Sequence, residues 1–214
     1  MKYPMTDRLH LPESTVLIVA GPAASGKTTF ATSLAFRLSY SLFDLDQVTG
    51  PLVSYVLASR DEPEHALDEG PGMALRDARY ASLMSAASAN ISVGRHVVIA
   101  APFTKEVSDA EAWERMLQTW VYGDNPIRRS VRVELLYLQC PESVLRERLA
   151  RRGEARDLLK IAGAVESHGM APTVAFHAVD GLSDAEAQVD ALLSRLSPQI
   201  PQIHFPLRAP HADS

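Results

Sequence analysis

Gly21-Pro22-Ala23-Ala24-Ser25-Gly26-Lys27-Thr28 fills every fixed position of the phosphate-loop (Walker A) pattern G-x-x-x-x-G-K-[S/T]. The residues on either side agree with it. Thr15-Val16-Leu17-Ile18-Val19-Ala20 is short, apolar and rich in β-branched residues, which predicts a buried parallel strand. Thr28 to Leu38 repeats apolar residues at helical spacing. The motif therefore reads as a strand-to-helix turn, and a chance glycine-lysine turn is the weaker account.

A turn of that kind aims successive main-chain N–H groups and the positive end of a helix dipole at one point, which suits a phosphate. Gly21 and Gly26 are expected to supply the unusual backbone angles and a close approach, with Ala23, Ala24 and Ser25 contributing amides. Lys27 is expected to reach the β- and γ-phosphates, Thr28 to ligate Mg²⁺, and Thr29 to touch the α-phosphate. The expected ligands are thus ATP and magnesium.

The 214 residues are 46% hydrophobic and 22% charged, which fits one compact domain. A net charge of −5 argues against a general nucleic-acid binder, which usually carries a basic face. Cys140 is the only cysteine, so no intrachain disulfide and no Cys-His zinc cluster is expected, and its place after an apolar strand predicts a buried thiol. No stretch is apolar over the roughly 18 residues a membrane span needs, so a cytoplasmic protein without a membrane partner is expected. Oligomeric state is not legible.

Residues 1–14 read as an irregular lead-in, 15–196 as the folded domain, and 197–214 as a proline-bearing tail. Ser41 to Asp44 predicts a second strand that runs out at Asp44-Leu45-Asp46, which places two acids where open α/β sheets bind ligands. A short helix is expected over 51–60, an acidic connection over 61–72 and a long helix over 73–92 stopped by Gly94. Further strands are expected at 96–101, 131–139 and 173–179. Helices are expected at 109–122 with Ser108 as N-cap, at 141–152 opened by Pro141 and broken by Gly153, at 154–168 and at 183–196. Strands alternating with helices give an α/β fold with a parallel sheet covered on both faces.

With the loop, the acidic pair and an arginine-rich segment in place, the chain resembles the small P-loop kinases over about residues 14–196. Within that group it is similar to the proteins related to shikimate kinase, gluconate kinase, chloramphenicol phosphotransferase and zeta toxin. The resemblance implies a P-loop NTPase three-layer sandwich, with five parallel strands in the order 2-3-1-4-5 and a mobile lid at about 146–168. It also implies that one carboxylate of Asp44-Leu45-Asp46 faces the magnesium shell and the other the acceptor hydroxyl. Asp44 is assigned to the metal side and Asp46 to orienting or deprotonating the acceptor, although the order can be reversed and both acids can instead cap the next helix.

Arg148, Arg152 and Arg156 are expected to close over ATP and stabilise the transferring phosphoryl group. The alternative is a solvated helix laced by Glu142–Arg146 and Glu147–Arg151 pairs. Arg76 and Arg79 are three apart on the long helix, hence on one face; the kinase resemblance implies that one of them holds an anionic or polyhydroxyl acceptor, and the alternative is that they pair with the acidic stretch 61–69. Thr104, Lys105 and Glu106 either line the acceptor pocket or lie on a surface turn.

One departure stands out. Relatives carry an acid near the end of the third strand, where this chain reads Val97-Val98-Ile99-Ala100-Ala101-Pro102-Phe103. Alanine at 100 leaves the acidic work to Asp44 and Asp46, or marks weakened catalysis. His65, His168 and His177 share no ligand spacing, and Trp113 and Trp120, seven apart, are expected on one apolar helix face. The sequence thus points to transfer of the γ-phosphoryl group of ATP to a hydroxyl of a small metabolite or natural product. A nucleotide switch without an acceptor, or a toxin-like kinase acting on a nucleotide sugar, is the alternative.

Overall fold

The computed structural model describes residues 14–60, 72–122, 131–153 and 171–196. Five strands, β1 (Ser14–Ala20), β2 (Ser41–Asp44), β3 (Val97–Ala100), β4 (Val131–Gln139) and β5 (His177–Asp180), form one sheet in the order β2-β3-β1-β4-β5. Every pairing is parallel, so each connection must cross over a face and all carboxyl ends collect on one edge. The strand order implied by the kinase resemblance is the one observed.

Alternation along the strands sorts the core into two layers. Leu17 and Val19 of β1 with Leu136 and Leu138 of β4 face α1 (Lys27–Leu38) and the last helix, α7 (Ala185–Leu196), through Phe30, Leu34, Leu192 and Leu196. Val16, Ile18 and Ala20 with Val97 and Ile99 face the opposite way, against Leu83, Ala87 and Ile91 of α3 (Gly72–Ser92). β1 is buried along its whole length, which explains its unbroken apolar reading.

The second layer is completed by α4 (Thr104–Ser108), α5 (Ala110–Met116) and a π-helical turn over Leu117–Tyr122. The sequence predicts one helix here, over 109–122. The helix starts one residue later, at Ala110, and becomes π-helical from Leu117; Asp109 has an extended backbone and a carboxylate that accepts from the N–H groups of Glu111 and Ala112. Asp109 is therefore the N-cap, and Ser108 closes α4 instead. Trp113 and Trp120 both pack on this layer, as the apolar-face reading expects.

Two other boundaries move. Helix α2 (Leu45–Arg60) starts six residues before the expected position, because Asp44 caps it, and Pro51 lies inside it. The last strand is shorter than 173–179: the Thr173 N–H instead donates to Val107 O at 2.8 Å, tying that segment to α4. Helix α6 (Glu142–Arg152) begins after Pro141 and ends at Gly153, whose φ of 66° is left-handed. Among the described residues no helix is long and apolar enough to cross a membrane. The readings for 154–168, including Arg156, and for His65, His168 and the acidic stretch 61–71 lie outside the described residues.

Candidate active site

The phosphate loop leaves β1 at the carboxyl edge and enters α1. Its backbone has the shape the glycines predict: Gly21 sits at φ 145°, Gly26 at 95° and Ala24 at 62°. A Cβ at Gly21 would lie 2.9 Å from Leu138 O, so the loop is pressed against β4 and only glycine fits. Lys27 Nζ donates to Pro22 O at 2.5 Å, across the mouth of the loop. Ser25 is fully buried, and its hydroxyl has no hydrogen-bond partner. An orphaned polar group inside a ring of main-chain amides fits a loop built to surround phosphate oxygens.

Thr28 Oγ1 donates to Asp44 Oδ2 at 2.8 Å. The other oxygen of Asp44 accepts from the N–H groups of Asp46 and Gln47, at 3.0 and 3.1 Å. Asp44 thus caps α2 with one oxygen and faces the loop threonine with the other. A hydroxyl and a carboxylate side by side are a hard-oxygen donor set of the kind that holds Mg²⁺ when phosphates supply the remaining ligands. In the parallel register Asp44 pairs with Ala100, which in turn pairs with Val19. Asp44 thus lies beside position 100, where β3 has alanine in place of a carboxylate.

Asp46 lies in the first turn of α2, rather than on the strand's end, and is exposed. Arg79 on α3 donates to Asp46 Oδ1 at 2.5 Å and to Thr49 Oγ1 at 2.9 Å. The arginine therefore fixes the direction of the carboxylate from a second helix. Arg76, one turn earlier, lies with its guanidinium carbon 4.4 Å from the centre of the Tyr80 ring and with Nη2 3.7 Å from Glu106 Oε2. Tyr80 is half-buried, and loss of solvation pushes its hydroxyl up to about 12. As a neutral phenol it accepts the N–H of Phe103, a residue held in the left-handed region at φ 51°. These contacts brace the segment that leaves β3.

Beside them opens a cavity of about 340 Å³ between α3, α4, α5 and the π-helical turn. Arg76, Tyr80 and Met84 form one wall, and Lys105, Glu106 and Trp120 are on the other side. Thr104 does not line it, whereas Lys105 and Glu106 do. Trp120 lines it from the π-helical turn, where the backbone departs from the 3.6-residue periodicity that assigns helix faces, and Arg115 lines it from the last turn of α5.

Arg148 is on α6, where its guanidinium donates to Ala24 O at 3.3 Å and to Gly181 O at 3.0 Å. It thus buttresses the phosphate loop from behind. Arg146 and Arg151 pair with Glu142 and Glu147, as the i, i+4 reading has it. Arg152 is exposed at the end of α6. Cys140 is half-buried, not enclosed, and burial raises its thiol above the usual range.

The family model of an AAA domain matches residues 16–166. The chain belongs to that family. A tRNA dimethylallyltransferase from Anaeromyxobacter dehalogenans (strain 2CP-C) is 37% identical to this AAA-domain chain over 94 residues, which are 40% of this chain. The match spans about a third, 31%, of that relative. Among solved structures, a putative kinase from Chloroflexus aurantiacus J-10-fl superposes with a TM-score of 0.59 and 16% identity, covering 86% of this chain and 97% of that one. Shikimate kinase from Aquifex aeolicus VF5 gives 0.56 and 18%, covering 85% and 96%. The AAA domain here thus has the fold of the small P-loop kinases.

Proposed function

We propose that this protein transfers the γ-phosphoryl group of ATP to a hydroxyl of a small molecule bound in the cavity beside α3. The observation that carries the reading is the Thr28–Asp44–Asp46–Arg79 line, which runs from the phosphate loop to the helix that walls the cavity. In it, a metal-side carboxylate and an acceptor-side carboxylate lie two residues apart and have different partners. Phosphoryl transfer needs that division of labour more than it needs covalent chemistry.

ATP is held by the amides of the loop and by Lys27, with Thr29 near the α-phosphate. Thr28 and Asp44 would hold Mg²⁺, which when bound neutralises charge on the phosphates. Asp46, aimed by Arg79, orients the acceptor hydroxyl and takes its proton as the new oxygen–phosphorus bond forms. The bond from the γ-phosphorus to the β,γ-bridging oxygen breaks, and ADP leaves. Arg152 and Arg156 screen the charge that develops, while Arg148 holds the loop in place.

The test is ATP·Mg turnover by the purified protein against a panel of sugars, hydroxy acids, nucleosides and antibiotics. Acceptor-dependent ADP release that is abolished in Lys27→Ala supports the reading. Steady hydrolysis indifferent to every acceptor would instead identify a nucleotide switch. The net charge of −5 weighs against RNA as the acceptor.

A further inference from the structure

Thr49 is buried on α2 three residues after Asp46, and both side chains accept from Arg79 of α3. The Thr49 hydroxyl donates to Leu45 O at 2.6 Å, which uses its only proton and fixes the rotamer of a β-branched side chain. Towards Arg79 the oxygen can therefore only accept, and it takes the Nε–H at 2.9 Å. Nη2 of the same guanidinium goes to Asp46 Oδ1. Nε and Nη2 form one edge of a planar fork, so two acceptors three residues apart on one helix hold the plane in a single orientation.

The two contacts are unequal. The Arg79 side chain is 13% exposed and that of Asp46 is 61% exposed. An ion pair with so open a carboxylate is screened by water and orients little on its own. The bond to Thr49 is the part-buried one of the two. Arg76, one turn back on α3, is engaged with Tyr80 and Glu106, so Arg79 is the arginine that reaches Asp46.

We propose, resting on the reading of Asp46 as the acceptor-side carboxylate, that Thr49 is a positioning residue for phosphoryl transfer. It anchors Arg79, and the anchored guanidinium holds the Asp46 carboxylate in the direction from which it takes the acceptor's proton. Thr49 itself touches neither ATP nor the acceptor.

Thr49→Val keeps the shape of the side chain and leaves the Arg79 Nε–H without an acceptor, whereas Thr49→Ser keeps the hydroxyl. ADP release from ATP·Mg is measured for the wild type, both variants, Asp46→Asn and the Asp46→Asn/Thr49→Val double variant, with glucose, gluconate, adenosine and water as acceptors. Thr49→Val is expected to lower kcat about tenfold at unchanged KM for ATP. Thr49→Ser retains most of the rate, and Thr49→Val costs nothing further in the Asp46→Asn background. Arg79→Lys, whose single nitrogen does not span both acceptors, gives the same loss and stands in for Thr49→Val should that variant not fold. Full kcat in Thr49→Val or Arg79→Lys, or an equal loss from Thr49→Val in the two backgrounds, overturns the inference and leaves the phosphotransferase reading standing. Wild-type turnover that is untouched by Asp46→Asn, or absent with every acceptor, removes both.

Discussion

Thr28 Oγ1 and Asp44 Oδ2 are 2.8 Å apart, joining the first turn of α1 to the end of β2 across the mouth of the site. Because the second oxygen of Asp44 caps α2, the two duties of this carboxylate are separable by substitution. Asp44→Asn keeps a carbonyl oxygen for the cap and loses the charge beside Thr28. Activity is expected to fall about 10–100-fold with little change in Tm. Asp44→Ala loses the cap as well, about 1 kcal/mol, or roughly 2–4 °C in Tm for a chain of this size. Thermal unfolding and ATP turnover on both variants check this, and full activity in Asp44→Asn would remove Asp44 from the metal side.

Gly181 follows β5 and touches the phosphate loop without contributing to its motif. A Cβ there would lie 2.7 Å from Gln139 O and 3.3 Å from Ser25 O, both main-chain atoms that cannot rotate away. Gly181→Ala is therefore expected to cost about 1–3 kcal/mol of stability and to weaken ATP binding by displacing Ser25. Denaturant unfolding and calorimetry measure the two effects separately. Unchanged ATP affinity in a destabilised variant would show that the loop does not depend on this contact.

Arg148 tests a choice the sequence leaves open. Its two bonds, to Ala24 O and Gly181 O, come from two different guanidinium nitrogens, a span the single nitrogen of a lysine does not reproduce. If it is a buttress, Arg148→Lys raises the KM for ATP about tenfold, through the loss of one charge-assisted hydrogen bond, and spares kcat. A fall in kcat at unchanged KM would place the guanidinium on the transferring phosphoryl group instead.

Much of this was legible before any coordinates. β1, the phosphate loop and α1 are local signals that agree with one another, so their boundaries came out within a residue. The strand order was reached only through the kinase resemblance, because register and order depend on contacts far apart in the chain. Asp44 reads both as the end of a strand and as a cap of the next helix, but Pro51 drew the expected start of that helix six residues too late. The cap at Asp109 was missed by one residue because Ser108 and Asp109 are both good N-cap types. The Arg76–Glu106 pair joins helices 30 residues apart and has no local signature.

His96, left unassigned as a titrating group in the sequence, gives the last prediction. It is 8% exposed, its Nδ1 accepts the Thr15 N–H at 3.0 Å, and its ring stacks on Tyr40 with centroids 4.8 Å apart. Burial lowers its pKa below the ordinary 6.5. The unfolded chain therefore takes up a proton near 6.5, while the folded chain resists until a lower pH. Between those points the unfolded state binds more protons, so stability rises with pH, by at most about 1.4 kcal/mol per unit for one group. The contribution is complete above about 6.5 and is lost as pH falls, because a protonated Nδ1 can no longer accept the Thr15 N–H of β1. His96→Asn keeps an acceptor that does not titrate, so its Tm should fall less than the wild type's between about pH 7 and pH 5. Glu134, held low by Arg132 and His177 against the opposing effect of its burial, adds its own loss only below the ordinary carboxylate range and leaves that window clear. Parallel melting curves for the two proteins across the window would show that the His96–Thr15 bond does not govern the stability of β1.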